Sequence, residues 1–326
     1  MSSVGCRLLW CGVTLSLASA SAFGQTDGNY PVKPVRMVVG FTPGSATDIT
    51  ARIFAQKFTE SFGQPVAVEN IPGAAGTVGA ARVAKAPADG YALYYGANGA
   101  LTIAPTLLAK IGFDPNADFT PIGLLLTMPS ILAVNKYLPV KTVQELVALA
   151  SKRPGQLSYA SPGAGTPQHV AGELMKLSAK LDITHVPYKG AIFTDVIGGR
   201  VPMTLQNVAA ILPTIREGRL RALAVTSLKR SPTIADIPTL DESGFAGFEA
   251  ISWFGLFAPA GTPAAVTNRV YQESMKVLAQ PDTRTRFAQL SLDIAGTPGN
   301  ELTGIIRRDI EKWAKVIKQA GITSGE

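Results

Sequence analysis

The chain has 326 residues, with 30 Lys or Arg against 23 Asp or Glu, a formal charge of +7. Charged residues are only 16% of it and the cations form no cluster or stripe, which excludes a phosphate-tracking nucleic-acid surface and leaves a mild positive field suited to small anions. Two histidines and two cysteines are too few and too scattered for a zinc centre or a disulfide framework.

Residues 1–25 read as a cleavable export signal. One cation, Arg7, precedes an apolar run over 8–20, and Ala18-Ser19-Ala20 and Ala20-Ser21-Ala22 both fit a signal-peptidase site. The run is far shorter than the ~20 residues a membrane span requires. Cleavage would remove Cys6 and Cys11, so the mature chain is expected to be soluble, periplasmic and free of thiols. Its remaining length suits two domains, each burying its own core.

The apolar stretch 35–39 predicts a buried strand running into Phe41-Thr42-Pro43-Gly44-Ser45. Behind it, Ile49, Ile53, Phe54 and Phe58 recur at helical spacing. A strand over 66–69, a turn-rich loop over 71–76 and a short helix over 77–85 repeat the unit. A third strand, 91–95, opens onto Gly96-Ala97-Asn98-Gly99. Such alternation predicts mainly parallel sheets covered by helices on both faces. The apolar run 124–134 is interrupted by Pro129, a residue central strands exclude, so the chain is expected to cross there into another domain.

The second domain should contain a helix around 143–150, a strand over 157–160, a glycine-rich loop over 161–165 and a helix over 166–178. The segment His185 to Gly190 and a strand–helix passage to about 216 follow, and a strand over 220–226 carries the chain back. A strand around 252–258 and helices near 264–279 and 301–320 complete the chain. The expected class is α/β. Residues 26–126 with 228–326 form a discontinuous first domain, 127–227 an inserted second one, and two crossings make a hinge.

The most informative local site is Ser161-Pro162-Gly163-Ala164-Gly165-Thr166-Pro167-Gln168-His169, which follows a strand and opens a helix. Thr166 suits the N-cap and Pro167 the first helical position, so free N–H groups there can face an anion. A capped helix that binds nothing is an equal reading from spacing alone. Phe41 to Asp48 has the same placement in the first domain, with Pro43, Gly44, Ser45 and Thr47 in the turn. Both fall at strand carboxyl ends, where open α/β sheets bind ligands, and so does Asn98. Asp48 is either a ligand acceptor or an acid serving the helix dipole, and the second role is slightly favoured.

Negative signals narrow the function. Gly73, Gly76 and Gly79 are spaced GxxGxxG rather than GxGxxG, and no phosphate loop or nucleophile elbow is present. No cofactor or metal is expected, and no enzyme. His169 stands open between touching a carboxylate and packing on the backbone. For Tyr188, Lys189 and Asp195, around the next turn, ligand contact and plain structural roles weigh equally, while Trp253 and Phe254 are expected to pack between domains.

Several motifs together resemble the Bug family of periplasmic solute-binding proteins, the receptors of tripartite tricarboxylate transporters. They are Tyr30-Pro31-x-Lys33-Pro34-Val35-Arg36, Phe41-x-Pro43-Gly44 with Asp48, Val68-Glu69-Asn70-x-Pro72-Gly73-Ala74-Ala75-Gly76 and Ala86-Pro87-Ala88-Asp89-Gly90-Tyr91. Gly165-Thr166-Pro167-x-His169, Val186-Pro187-Tyr188-Lys189-Gly190 and Leu220 to Thr226 extend the match over nearly the whole mature chain. The resemblance implies a monomeric two-domain clamp closing on a small carboxylate. One carboxylate would meet N–H groups and hydroxyls at Ser161 and Thr166, with bridging waters to the turn from Phe41 to Ser45. The implied partners are that ligand and membrane transporter subunits, or a sensor domain, with no nucleic acid; a periplasmic hydrolase is the lesser alternative. Ser45 replaces a second glycine usual in the family, and the segment from Gly190 to Asp195 is shorter than usual by two residues.

Overall fold

Short apolar runs bounded by Gly and Pro become strands, and the amphipathic stretches between them become helices that cover the sheets. The computed structural model describes residues 30–188 and 190–323. The expected export signal and Lys189 lie outside the described residues.

In chain order the elements are β1 (Val35–Val39), α1 (Ala46–Phe62), β2 (Val66–Asn70), α2 (Thr77–Ala84) and β3 (Ala92–Ala97). A wide helical turn, Gly99–Ile103, leads into α3 (Ala104–Leu107), then β4 (Phe119–Met128) and β5 (Ser130–Asn135). Next come α4 (Val143–Lys152), β6 (Leu157–Ser161), α5 (Pro167–Ala179), β7 (Ile183–Pro187), α6 (Ile192–Ile197), β8 (Met203–Asn207), α7 (Val208–Arg216) and β9 (Leu220–Val225). The chain ends with β10 (Ser252–Pro259), α8 (Ala264–Ala279), α9 (Pro281–Gln289), β11 (Asp293–Pro298) and α10 (Gly299–Ala320).

The strands form two sheets, ordered β11-β4-β10-β3-β1-β2 and β7-β6-β8-β5-β9. Parallel pairing is confined to β2-β1-β3 and β7-β6-β8, the halves built from strand–helix units. The other halves are antiparallel, so both sheets are mixed rather than mainly parallel. The cause lies in the crossings. β4 enters Pro129 from one sheet and β5 leaves it into the other, and β10 returns beside β4, which forces strands of opposite direction together at that edge.

Four buried clusters, two on each sheet, hold these layers together. Phe54, Phe58, Tyr95 and Phe287 fill one face of the first sheet, and Tyr94, Trp253, Phe257 and Leu302 the other. Beneath the second sheet, Leu132, Tyr159, Val170 and Met175 are joined by Leu240, Phe245 and Phe248 from the return crossing. They are joined also by Trp313, Val316 and Ile317 of α10, whose earlier residues Leu302 and Ile306 pack on the first sheet. That one helix therefore touches the cores of both sheets. Trp253 and Phe254 are buried within the first sheet's own clusters.

The glycines spaced GxxGxxG also find their reason here. A Cβ at Gly40 would collide with the Gly76 backbone, and one at Gly79 would come within 2.9 Å of the Gly40 Cα. The loop after β2 can cross the end of β1 only without side chains at these points.

Candidate functional site

The expected turns lie at the carboxyl ends of β1 and β6, each entering a helix. In the first, Ser45 caps α1 by accepting the Asp48 N–H at 3.2 Å. Asp48 is almost fully buried, and its carboxylate is the hub of the turn. It accepts the Gly44 N–H at 2.9 Å, Arg52 Nε at 3.0 Å and Asn70 Nδ2 at 2.8 Å. Asn70 also donates to the Phe41 carbonyl. Burial pushes the Asp48 carboxyl up, but hydrogen bonds from Arg52, Gly44 and Asn70 more than reverse this and hold it below the usual carboxylate range. Asp48 thus shapes the turn, and no oxygen is left over for a ligand. Phe41 lies over Gly76, Pro43 and Gly44 are exposed, and Thr47 is buried.

In the second turn Thr166 caps α5, accepting the His169 N–H at 3.3 Å and donating to the Gly163 carbonyl at 2.8 Å. Pro167 occupies the first helical position. The glycine amides are used internally: Gly163 N–H donates to Ser161 Oγ and Gly165 N–H to His169 Nδ1 at 3.0 Å. Of the free N–H groups expected at this helix start, those of Gly163 and Gly165 are therefore turned inward. A tight turn must pair its own polar groups, and what Gly163 (φ 141°) and Gly165 (φ 72°) supply is backbone angle. Ser161 is fully buried, with Oγ also 2.7 Å from His185 Nε2.

Of the two readings left open for His169, the structure has the packed one. It is 4% exposed and stacks on His185, ring centroids 3.7 Å apart and planes within 11°. Accepting Gly165 N–H fixes Nδ1 as the unprotonated nitrogen. Burial pushes both histidines down to about 4, helped at His185 by its neighbour His169 and at His169 by Lys176. The pair is a neutral pedestal under the turn. Tyr159 and Glu173 complete it, the tyrosine hydroxyl donating to Glu173 Oε1 at 2.9 Å.

The amides that the two turns leave without an internal acceptor are fewer than the sequence suggests. The N–H groups of Ala46 and Thr47 in α1, and of Ala164 and Gln168 in the second turn, have no acceptor among the described residues. Tyr188 donates to Asp195 Oδ2 at 2.7 Å and Arg200 to Asp195 Oδ1 at 2.8 Å, so Asp195 braces the start of α6. Lys189 lies outside the described residues.

Polar side chains also gather at the two crossings: the group of Gln168, Asn207 and Ser130 is not foreseen by the sequence, and Asn98, expected at the site, stands at the other crossing. Gln168 Nε2 donates to Asn207 Oδ1, and Ser130 Oγ lies 3.4 Å from the same oxygen, which joins α5, β8 and β5 beside Pro129. Asn98 donates to the Ile251 carbonyl on the return crossing, while its Oδ1 is buried without a partner. The inner strand of each parallel half is thus tied to a crossing. Scattered single Asn, Gln and Ser residues give no motif from which this could be read.

A model of the tripartite tricarboxylate transporter family receptors matches residues 50–322. The chain belongs to that family. BugT of Bordetella pertussis is 34% identical over 316 residues, covering 95% of this chain and 96% of BugT. Among solved structures, a Rhodopseudomonas palustris protein with adipate has a TM-score of 0.76 at 35% identity, covering 90% of this chain and 99% of that one. MatC of Rhodopseudomonas palustris with bound malate has a TM-score of 0.72 at 32% identity, covering 88% and 100%. The family resemblance and the two-sheet α/β architecture are thereby established, as those of periplasmic solute-binding proteins. Among the described residues no helix of this family member is long and apolar enough to cross a membrane.

Proposed function

We propose that the protein is a periplasmic receptor that captures a small organic carboxylate between the turn 41–48 and the turn 161–169, and delivers it to a membrane transporter. On this reading the first sheet with its helices is one lobe and the second sheet another, the crossings at Pro129 and 226–252 forming the hinge. The observation that carries it is the matched pair of helix entries. α1 and α5 each follow a strand's carboxyl end and each is side-chain capped; α1 keeps the Ala46 and Thr47 N–H groups free and α5 that of Gln168, with Ala164 in the turn before it, an arrangement that can hold an anion. Ala46, Thr47, Ala164 and Gln168 supply the amides. Asn98 and Gln168 supply side-chain polarity at the floor. Ser161, Thr166, His169, Asp48 and Asp195 hold the loops in shape. The relatives with adipate and malate favour a dicarboxylate, and the one hydroxyl set against an imidazole here, Ser161 on His185, is fully buried beneath the turn.

The direct test uses a substitution the helix tolerates. Ala46 is the first residue of α1, where proline fits, and Ser45 before it is extended (φ −66°, ψ 159°), as a residue preceding proline should be. A46P removes one amide and little else. Calorimetry with a series of small dicarboxylates, beginning with adipate and malate, should find one that binds, and A46P should weaken it roughly tenfold, the size of one charge-assisted hydrogen bond. Wild-type affinity in A46P, with a folded protein, would remove the α1 amides from the site.

A further inference from the structure

A cavity of about 1250 Å³ lies away from these turns. No residue of 41–48, 98, 161–169 or 188–195 lines it. Leu174 and Ser178 of α5 do, so it lies roughly 9–15 Å along that helix from Gln168, at 1.5 Å per residue. β4, β10 and β11 of the first sheet form one wall, α4 and α5 of the second sheet another, and α10 bridges them.

The wall is apolar with a charged edge. Trp253, Phe248, Val147 and Leu174 make it apolar. Asp309 has both oxygens occupied, one by the Trp253 indole N–H at 3.0 Å and one by Lys312 Nζ at 3.0 Å. Lys312 also donates to the Glu249 carbonyl at 3.2 Å. Arg308 is exposed at the mouth with no ion-pair partner among the described residues. Glu249 also lines the cavity, its carboxyl pushed up by burial against the pull of Lys312 and Arg308. A groove between α5 and α10 continues outward past Leu177 and Lys315.

We propose that this cavity behind the hinge is a second ligand site, taking an amphipathic organic anion whose apolar body lies against Val147 and Leu174 and whose acid group meets Arg308. Its walls belong to both sheets, so an occupant is sensitive to the angle between them. Occupancy and capture of the carboxylate at the turns are then coupled, with equal effect in both directions. That coupling rests on the receptor function proposed above; the site itself does not.

Anilinonaphthalene sulfonate, an aromatic body carrying one sulfonate, is the probe. One equivalent should bind per folded chain, with blue-shifted emission and quenching of tryptophan fluorescence. R308E should weaken binding tenfold or more, R308K should restore most of it, and S178F, at an exposed lining position, should block it. A46P should leave it unchanged. At saturating probe, the affinity for the dicarboxylate found by calorimetry should shift several-fold. Probe binding that survives R308E and S178F, or that is lost in A46P, overturns the site. An unshifted dicarboxylate affinity overturns the coupling. Intact probe binding in a protein that binds no dicarboxylate keeps the cavity site and sinks the receptor reading.

Discussion

The two turns reach one geometry by opposite electrostatics. The turn after β1 is organised by a buried charge, Asp48, whose oxygens are filled by Gly44, Arg52 and Asn70. The turn after β6 is organised by two stacked imidazoles kept neutral by burial. In both, a hydroxyl caps the helix and a side chain four residues after a glycine accepts that glycine's N–H. The acceptor can be a carboxylate or an imidazole nitrogen, because what the turn requires is a lone pair in the right place. The surroundings then decide whether a charge is tolerable: Arg52 is half exposed and can neutralise Asp48, whereas the second turn lies over Tyr159 and the β6–β7 ladder.

The comparison breaks most sharply at its charged hub. D48A leaves the Gly44 and Asn70 donors and the Arg52 charge without their acceptor, and should cost about 3 kcal/mol, read as a drop in denaturation midpoint. D48N keeps part of the network and should lose less. H169A strands the Gly165 N–H and the face of His185, and should cost about 2 kcal/mol. If H169A proved as stable as the parent, the pedestal would have no structural role.

Acid separates the two turns in order. The histidines have native values near 4, below the ordinary 6.5, so the unfolded chain takes up protons first. Their contribution is complete above about pH 6.5 and is lost as the pH falls toward 4. The groups facing them are Glu173, Lys176, Tyr159 and Ser161, and none removes that sign. Asp48, held below the usual range, keeps its contribution to lower pH and loses it only as the pH falls through its native value. Melting temperature recorded from pH 7 to 4 should therefore fall in the parent and fall less in the H169A background. Salt should do least. Arg52 is half exposed, so 1 M NaCl should change stability by less than about 1 kcal/mol through this pair.

Much of this arrangement is legible in the sequence because it depends on local grammar. Thr166 and Pro167 announce a helix start, Pro129 announces a crossing, and apolar runs before glycine place the turns. What is not legible depends on dihedral angles and register. Whether the Gly165 amide points out or back onto His169 is a question of φ, and the two histidines meet only because β6 and β7 pair with Tyr159 opposite His185. β11 escapes detection because Gly296, at φ 64°, and Pro298 break its pattern, and its ladder with β4 shifts register between Ile294 and Thr297. Helix α9 is hidden by its polar composition, with Thr283 and Phe287 its buried residues. Residues 228–250, read as first-domain chain, place Leu240, Phe245 and Phe248 under the second sheet, a preference no short window reveals.

Helix α10 is gripped at both ends, by Leu302 and Ile306 on one core and by Trp313, Val316 and Ile317 on the other. Side chains sunk into two cores fix the helix both along and about its axis. On the receptor reading, a swing of one half against the other has to carry this helix with it, and the two turns between its grips, where Asp309 and Lys312 hold Trp253 and Glu249, take up the strain.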